Sequence, residues 1–306
     1  MGFDKVDGNH PKCVKSSKEP SYRSKAYIKL IFFVICNFFK VYKFIFVSLK
    51  CKGMILTIDI GNTNIVFGVT DHDEWLKIWR IQTDLFKTSD EYEVIFRSLF
   101  ASFGIHESAI KKTVLSSVVP SLIRPFREML SHLLDHPPFL VEPSVYQKLP
   151  IEILSPDEIG TDIVADATAA FIRYGGPCMV IDFGTALTFT TISKSGKILG
   201  VAIAPGLLTA LKALTGNTAQ LRDVQLVAPP SVLGDNTIHA IQSGIVLGFA
   251  GLVDSMVART EGELSEKINV IATGGLSSVL RNVSTRIQIT DENLTLDGLK
   301  YMANIF

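Results

Sequence analysis

The pattern of apolar and polar positions becomes regular at Met54. From there, short apolar runs alternate with turn residues over about thirty positions. In order, these segments are "ILTID" (55–59), "GNTN" (61–64), "IVFGVTD" (65–71), "DHDE" (71–74) and "WLKIWRIQT" (75–83). Apolar runs bounded by Gly, Asn and Asp are typical of β-hairpins. The pattern therefore predicts three consecutive strands joined by tight turns.

A second pattern of the same kind occupies residues 178–206, "CMVIDFGTALTFTTISKSGKILGVAIAPG". It again predicts a strand, an Asp-x-Gly-Thr turn, a strand, a Ser-Gly turn and a strand, and Asp182 takes the position of Asp59. Each half continues with a helical pattern and then a buried strand that ends in small residues. The helical segments are 88–104 and 207–221, and the later strands are 113–121 and 269–277.

Helices between strands predict an α/β fold with largely parallel strand pairing. A repeat of domain size predicts two copies of one fold that face each other across a cleft, where ligands usually bind. We place an N-terminal domain at 54–174 and a C-terminal domain at 175–306, after an extension at 1–53.

The extension contains an apolar run, Leu30–Phe39, that Lys40 and Lys43 interrupt. A spanning helix needs about 20 apolar residues, so this run is short for a membrane segment. No small-residue cleavage site follows, as a signal peptide would require. We favour a start codon assigned too far upstream, with Met54 as the native start. The alternatives are a disordered or folded extension, or a real anchor or targeting segment.

Charge separates the extension from the rest of the chain. The formal net charge is zero, but residues 1–53 carry 11 Lys and Arg against 3 Asp and Glu. The remaining residues are therefore acidic, which argues against nucleic acid as a partner. Three of the four cysteines lie in the extension and no CxxC is present, so neither a disulfide framework nor a zinc site is predicted. We expect a cytoplasmic protein, with no membrane partner for 54–306.

The glycine turns carry the candidate chemistry. Gly61 lets the backbone approach a ligand, and the turn N–H groups, Asn62 and Thr63 can donate to phosphate oxygens. Asp59 ends a strand where a magnesium ion, through water, would bridge to those phosphates. "DFGTA" (182–186) repeats this equipment, and "ATGG" (272–275) offers a third turn suited to a nucleobase or ribose. Ordinary hairpin turns are the alternative, which three turns at matching positions disfavour.

These turns point to phosphoryl transfer from ATP, which also needs a carboxylate to orient the acceptor hydroxyl. Neither a P-loop nor a kinase HRD motif is present. The candidate base is Asp162, because Gly160-Thr161-Asp162 opens a predicted helix. The local pattern fits a helix-capping carboxylate equally well, and Asp166 is a rival for the base.

Taken in order, the motifs of residues 54–306 resemble those of type III pantothenate kinases. This family belongs to the actin and sugar-kinase superfamily and has two ribonuclease-H-like, actin-like ATPase domains facing each other across a cleft. The motifs are "DIGNTN" (59–64), "WRIQT…TSDE" (79–91), "SSVVPSL" (116–122), "GTD" (160–162), "DFGTALT" (182–188), "GVAIAPG" (200–206), "NTAQL" (217–221) and "TGG" (273–275).

The resemblance implies ATP-dependent phosphorylation of pantothenate to 4'-phosphopantothenate, the first step of coenzyme A biosynthesis. It also implies a homodimer that uses magnesium and a monovalent cation, potassium or ammonium. The residues expected to bind ATP are Asp59, Ile60, Gly61, Asn62, Thr63, Asn64, Ile65, Val66, Thr185, Gly274 and Gly275. Those expected to bind pantothenate are Gly160, Thr161, Asp162, Ile163 and Thr218.

Within this set, the resemblance makes Asp162 the base, Asp182 the ligand of the monovalent cation and Asp59 the magnesium residue, through water. Thr218 would contact pantothenate from near the partner subunit. Two positions depart from the family pattern: Ile163 stands where an Arg is usual, and Ile153 near the position of a usual Tyr. An Arg–carboxylate contact is strong, so its loss would weaken the binding of an anionic substrate such as pantothenate or change which substrate binds. Arg222 is a candidate replacement cation.

These departures leave two alternatives to a pantothenate kinase. One is a degenerate family member that acts as a regulatory or accessory binding protein. The other is a kinase for another small hydroxy acid. All three would bind ATP, but only the two kinases would turn it over.

Overall fold

A computed structural model describes residues 53–215 and 224–306. The predicted extension, apart from Gly53, lies outside these residues, as do Thr218 and Arg222. The described residues form two five-stranded sheets, with strand orders β3-β2-β1-β4-β5 and β10-β9-β6-β7-β8. The strands are β1 Met54–Ile60, β2 Asn64–Asp71, β3 Glu74–Gln82, β4 Ile110–Ser117, β5 Phe139–Leu140, β6 Cys178–Phe183, β7 Ala186–Ile192, β8 Ile198–Pro205, β9 Asn269–Thr273 and β10 Ile289–Thr290.

Helices connect and cover the two sheets. They are α1 Ser89–Ser102, α2 Pro120–Leu133, α3 Thr161–Tyr174, α4 Leu207–Thr215, α5 Thr237–Gln242, α6 Gly248–Leu264, α7 Ser277–Arg281 and α8 Leu294–Ile305. Short 3-10 turns lie at Glu107–Ala109 and Pro143–Lys148, and a π-helical segment, Ser243–Leu247, joins α5 to α6.

The first sheet places the ends of its central strands at one edge. β1 pairs antiparallel with β2 and parallel with β4, so Asp59 lies opposite Val66 on one side and Ser116 on the other. β2 pairs antiparallel with β3, which sets Arg80 opposite Val66. The carboxyl ends of β1 and β4 therefore meet, and their polar side chains lie side by side.

The second sheet repeats this arrangement. β6 pairs antiparallel with β7 and parallel with β9, and β7 pairs antiparallel with β8. The predicted duplication is thus confirmed, with Asp182 at the place of Asp59. The prediction of largely parallel pairing is wrong, because tight hairpins join the first three strands of each half and force antiparallel neighbours. Each sheet is mixed.

Most predicted elements occur, with shifted ends. α1 begins after Thr88, where Thr88 and Glu91 form a capping box, and α3 begins at Thr161 as predicted. The strand predicted at 113–121 is β4, which stops at Ser117 because Pro120 occupies the first position of α2. The strand predicted at 269–277 stops at Thr273, where the glycine turn begins.

The last helix returns to the first half of the molecule. α8 packs against α3, β1 and β4. The approach is close, because a Cβ on Gly298 would collide with the backbone carbonyl of Ala165 in α3. In addition, Trp75 Nε1 of β3 donates a 3.0 Å hydrogen bond to Asp297. The end of the predicted C-terminal domain therefore stabilises the first sheet, while the boundary at 174/175 itself stays a prediction.

The helical run Thr237–Leu264 is long and apolar enough, by length and composition only, to cross a membrane. A core helix of a globular domain meets the same criteria. Val246, Val253 and Val257 of this run are fully buried in the apolar cluster beneath the second sheet.

Candidate active site

A cleft of about 430 Å³ lies between the two sheets, at the edge where β1, β6 and β9 end. This volume is within the range of small-molecule sites. All three predicted glycine turns line the cleft, together with the candidate base. The predicted site residues that line it are Asp59, Gly61, Asn62, Thr63, Asn64, Val66, Asp162, Asp182, Thr185, Gly274 and Gly275.

The two Asp-Gly-Thr turns meet across this cleft. Thr63 Oγ1 of the first turn lies 2.7 Å from Thr185 Oγ1 of the second. The first turn is held in shape by a 3.0 Å bond from the Gly61 N–H to the Asn64 carbonyl, and Thr83 Oγ1 donates to the Gly61 carbonyl at 2.6 Å. The Thr63 and Thr185 hydroxyls therefore bring a donor from each half to one place, as phosphate binding requires.

Asp59 belongs to a buried hydroxyl network. Ser116 Oγ donates to Asp59 Oδ1 at 2.8 Å, and Ser116 Oγ lies 2.9 Å from Thr161 Oγ1, at the start of α3. Burial and the neighbouring charge of Asp162 raise the pKa of Asp59 to about 7, although the bond from Ser116 opposes this shift. The network connects the first phosphate turn to the helix that carries the candidate base.

Asp182 has a different environment. Within residues 53–215 and 224–306, no group donates a hydrogen bond to its carboxylate. Burial and the charge of Asp162 raise its pKa to about 7, and the positive charge of Arg80 acts in the opposite direction. Gly274, with a φ of +86°, passes so close that a Cβ there would lie 2.5 Å from Asp182 Oδ1. This close approach requires glycine at that position.

The candidate base and its rival lie one helical turn apart on α3. Asp162 lines the cleft, and its Oδ1 accepts a 2.8 Å bond from the Ile163 N–H at the helix start. Burial raises its pKa, which favours a carboxylate that can accept a proton. Asp166 is buried in the core, where Thr295 Oγ1 donates to it at 2.7 Å. Only Asp162 is therefore placed to reach a substrate in the cleft.

The carboxylates fit the cations that the resemblance implies. In the described part of the chain, no three His, Cys, Asp or Glu side chains group as a metal site. Magnesium nevertheless binds commonly through one or two carboxylates, waters and substrate phosphates, and Asp59 can take that place. A half-buried carboxylate without a donor among the described residues, such as Asp182, is unfavourable alone and is stabilised by a bound cation. Both residues therefore suit their predicted ions.

Several predicted residues lie elsewhere. The side chains of Ile60 and Ile65 are fully buried in the core of the first half, so only their backbone can face a ligand. Gly160, Thr161 and Ile163 surround Asp162 at the start of α3 and do not line the cleft. Ile153, at the first departure from the family pattern, packs against the core.

The sequence analysis missed four polar residues. Arg80 lies inside a quoted motif but received no role, and it lines the cleft together with Lys212 of α4. Ser116, also inside a quoted motif, proves to be the partner of Asp59. The hydroxyl of Tyr146 is buried and has no hydrogen-bond partner among the described residues, and burial, with the charge of Asp162, raises its pKa to about 12. The spacing of β3 predicts that Arg80 lies near the turns, but not which way its side chain reaches.

Comparison with known structures supports the fold. A putative Baf-family transcriptional activator from Campylobacter jejuni is 20% identical with a TM-score of 0.51, covering 81% of this chain and 96% of that one. The ADPNP-bound activator of 2-hydroxyisocaproyl-CoA dehydratase from Clostridium difficile is 14% identical with a TM-score of 0.51, covering 82% and 94%. At these identities, the similarity concerns the fold alone.

Sequence comparison goes further. A family model described as type III pantothenate kinase matches residues 55–259. The type III pantothenate kinase of Moorella thermoacetica is 42% identical over 247 residues, covering 81% of this chain and 97% of the relative. That of Geotalea uraniireducens is 39% identical over 249 residues, with the same coverage. The residues that line the cleft lie within this matched range, except those from Thr273 onward. The chain therefore belongs to the type III pantothenate kinase family.

Proposed function

We propose that this protein transfers the γ-phosphoryl group of ATP to the hydroxyl of pantothenate, forming 4'-phosphopantothenate in the first step of coenzyme A biosynthesis. One observation carries the proposal. Asp59, Asp162 and Asp182 line a single cleft between two matched Asp-Gly-Thr turns, in a chain of this family. Phosphoryl transfer needs phosphate donors, cation-binding carboxylates and an acceptor-orienting carboxylate, and these residues supply all three.

The residues divide the chemistry between them. The facing turns, with the Thr63 and Thr185 hydroxyls, bind the phosphate chain of ATP. Asp162 accepts the proton of the pantothenate hydroxyl as its oxygen bonds to the γ-phosphorus. The bond from that phosphorus to the β–γ bridging oxygen breaks, and ADP leaves with the negative charge. A carboxylate in this role contributes roughly 10²–10⁴-fold to the rate.

Two cations belong to the proposal. Magnesium, held by Asp59 through water, and potassium or ammonium at Asp182 supply positive charge that offsets the charge of the phosphates. The raised pKa values of both carboxylates support this, since burial alone makes their ionised forms unfavourable.

A homodimer is also part of the proposal. β8 is the edge strand of the second sheet, and alternate residues of one face, Leu199, Val201 and Ile203, are exposed. Ile203, at 69% exposure, is the most exposed of the three. A second copy of the chain would cover this apolar edge, and Thr218 would then act near the partner subunit. We place the enzyme in the cytoplasm.

The departures at Ile153 and Ile163 favour one rival, a kinase for another small hydroxy acid. The test is ADP formation by the full chain with pantothenate and with a panel of other hydroxy acids. We expect pantothenate to give the highest kcat/KM. Turnover of another acid with a higher kcat/KM would establish the rival, and ATP binding without turnover of any acid would indicate an accessory binding protein.

A further inference from the structure

Arg80 is the one arginine that lines the cleft in the described part of the chain, and the proposed chemistry leaves it without a role. It lies on β3, the edge strand of the first sheet, opposite Val66. Its side chain nevertheless reaches the second half. A Cβ on Gly275, in the third glycine turn, would lie 3.1 Å from Arg80 Nη1.

The surrounding charge makes this position unusual. Four carboxylates line the cleft, those of Asp59, Asp162, Asp182 and Glu292. Yet Arg80 makes no ion pair or hydrogen bond with any described residue. Its guanidinium is therefore not consumed by a structural contact and has five donors available for an anion. A planar guanidinium binds phosphate through two parallel hydrogen bonds, which an ammonium group cannot reproduce.

Position along the cleft selects which phosphate it meets. Asp182 experiences the charge of Asp162 and of Arg80, so it lies within range of both. Asp162 marks the acceptor end of the cleft, and the third glycine turn, beside Arg80, marks the proposed nucleoside end. The two phosphate turns close the space between them, where Thr63 and Thr185 meet. Arg80 lies near Asp182 in the second turn and beside Gly275 at the nucleoside end, so its guanidinium borders the phosphates nearer the nucleoside, which ADP retains.

We propose that Arg80 binds the β-phosphate of the nucleotide and is a catalytic residue that stabilises the ADP leaving group from the first half of the molecule. The inference rests on the proposed function. As the bond between the γ-phosphorus and the bridging oxygen breaks, negative charge accumulates on the β-phosphate oxygens, and Arg80 offsets it. Because the contact is made to ADP as well as to the transition state, the binding of ADP reports on it directly.

The test measures binding of ADP, AMP and pantothenate to the full chain by titration calorimetry in the presence of magnesium. For Arg80→Met we expect an ADP affinity about 10- to 100-fold weaker, as for loss of a charge-assisted bidentate contact. Affinities for AMP and pantothenate should stay within about threefold of the wild type, and kcat should fall. Arg80→Lys should recover only part of the loss, because it restores the charge without the planar donors.

Lys77→Met is the matched control. It lies on the same strand and removes the same charge, but its ammonium group packs over the Phe103 ring. We expect wild-type ADP affinity for it. Unchanged ADP affinity in Arg80→Met would overturn the inference, and so would an equal loss for AMP, ADP and pantothenate, which indicates a distorted cleft. A wild-type protein that binds ADP through Arg80 without phosphorylating pantothenate would instead overturn the proposed function.

Discussion

The two Asp-x-Gly turns, at 59–64 and 182–186, follow the same strand–turn–strand pattern but have different surroundings. Asp59 in the first turn accepts a hydrogen bond from Ser116, which continues to Thr161 on the helix of the base. Asp182 in the second turn has no such donor among the described residues, and glycine backbone and a distant arginine surround it. The two turns therefore share their loop pattern, while the side chains around them place Asp59 in a hydrogen-bond network and leave Asp182 without a donor among the described residues.

The difference extends to the base. Asp162 lies at the start of α3, which the hydroxyl network of the first turn contacts directly. Gly274, in the third glycine turn, instead packs against Asp182. The start of α3, with Asp162, is thus connected to the first turn, while the third glycine turn packs against the second.

The largest effect is expected from Asp162→Asn. It removes the proton acceptor and keeps the shape of the side chain, so turnover should fall roughly 10²–10⁴-fold. Nucleotide affinity should be retained, because the phosphate turns are unchanged. Steady-state kinetics and ADP titration measure the two quantities.

Asp157→Asn is the control for that variant, since this exposed carboxylate lies five residues earlier. It should keep wild-type turnover. If Asp162→Asn also keeps it, the base is not Asp162 and Asp166 becomes the candidate.

The next effect concerns the cation at Asp182. In protein stripped of cations, the folded state holds a proton on this carboxylate more tightly than the unfolded state, where the pKa is near 3.8. The free energy of unfolding therefore decreases as pH rises from 3.8 to about 7. Potassium should raise the melting temperature more at pH 8 than at pH 5, because it binds the ionised carboxylate, which prevails at the higher pH.

Asp182→Asn should lose most of this potassium response. Its kcat in potassium should also fall by about tenfold, which corresponds to an interaction of about 1.4 kcal/mol. Differential scanning calorimetry in potassium and in sodium provides the measurement. Equal melting temperatures and equal rates in the two salts for the wild type would contradict a cation site at Asp182.

A smaller effect is expected from Ser116→Ala. It removes the hydroxyl between Asp59 and Thr161, so the free energy of unfolding should decrease by about 1–2 kcal/mol. Turnover should decrease as well, because the first turn loses its connection to α3. Ser131→Ala, which removes an exposed hydroxyl bonded within α2, is the control and should change neither. A Ser116→Ala protein as stable and active as the control would show that the network has no function.

The smallest effect is expected from Tyr146→Phe. The Tyr146 hydroxyl is buried without a partner among the residues that the structure describes, so its removal should leave stability unchanged or raise it by up to about 1 kcal/mol. Tyr174→Phe removes a hydroxyl that donates to Asp291 at 2.7 Å and should instead lose about 1 kcal/mol. Chemical denaturation compares them. A clear loss of stability in Tyr146→Phe would mean that its hydroxyl has a partner in solution.

Much of the fold was predictable because its signals are local. The glycine turns and the alternation of apolar residues predict the hairpins of both halves, and the repeat of Asp59 at Asp182 predicts two matched halves. Largely parallel pairing was a wrong prediction, because tight turns rather than helices join the first three strands of each half. The return of α8 to the first sheet depends on long-range packing at Gly298, for which the sequence has no local signal.

Most residues of the site could be predicted from the sequence, but the side chains that contact them could not. The turns and Asp162 lie together as expected. The contacts of Ser116 and Arg80 depend on register and side-chain direction across the cleft, since Ser116 lies 57 residues from Asp59 and Arg80 reaches the opposite half. A single sequence fixes residue types at such positions without showing which distant group they meet.

The central claim is that the two halves together move a phosphoryl group from ATP to pantothenate. Phosphorus-31 NMR of the full chain with ATP, magnesium, potassium and pantothenate tests it most directly. We predict a new phosphomonoester signal that grows as the γ-phosphate signal of ATP decays, from a product whose mass, measured separately, equals that of 4'-phosphopantothenate. Asp162→Asn should slow its growth roughly 10²–10⁴-fold. Decay of ATP to ADP and free phosphate without that signal, or no decay, would contradict the account.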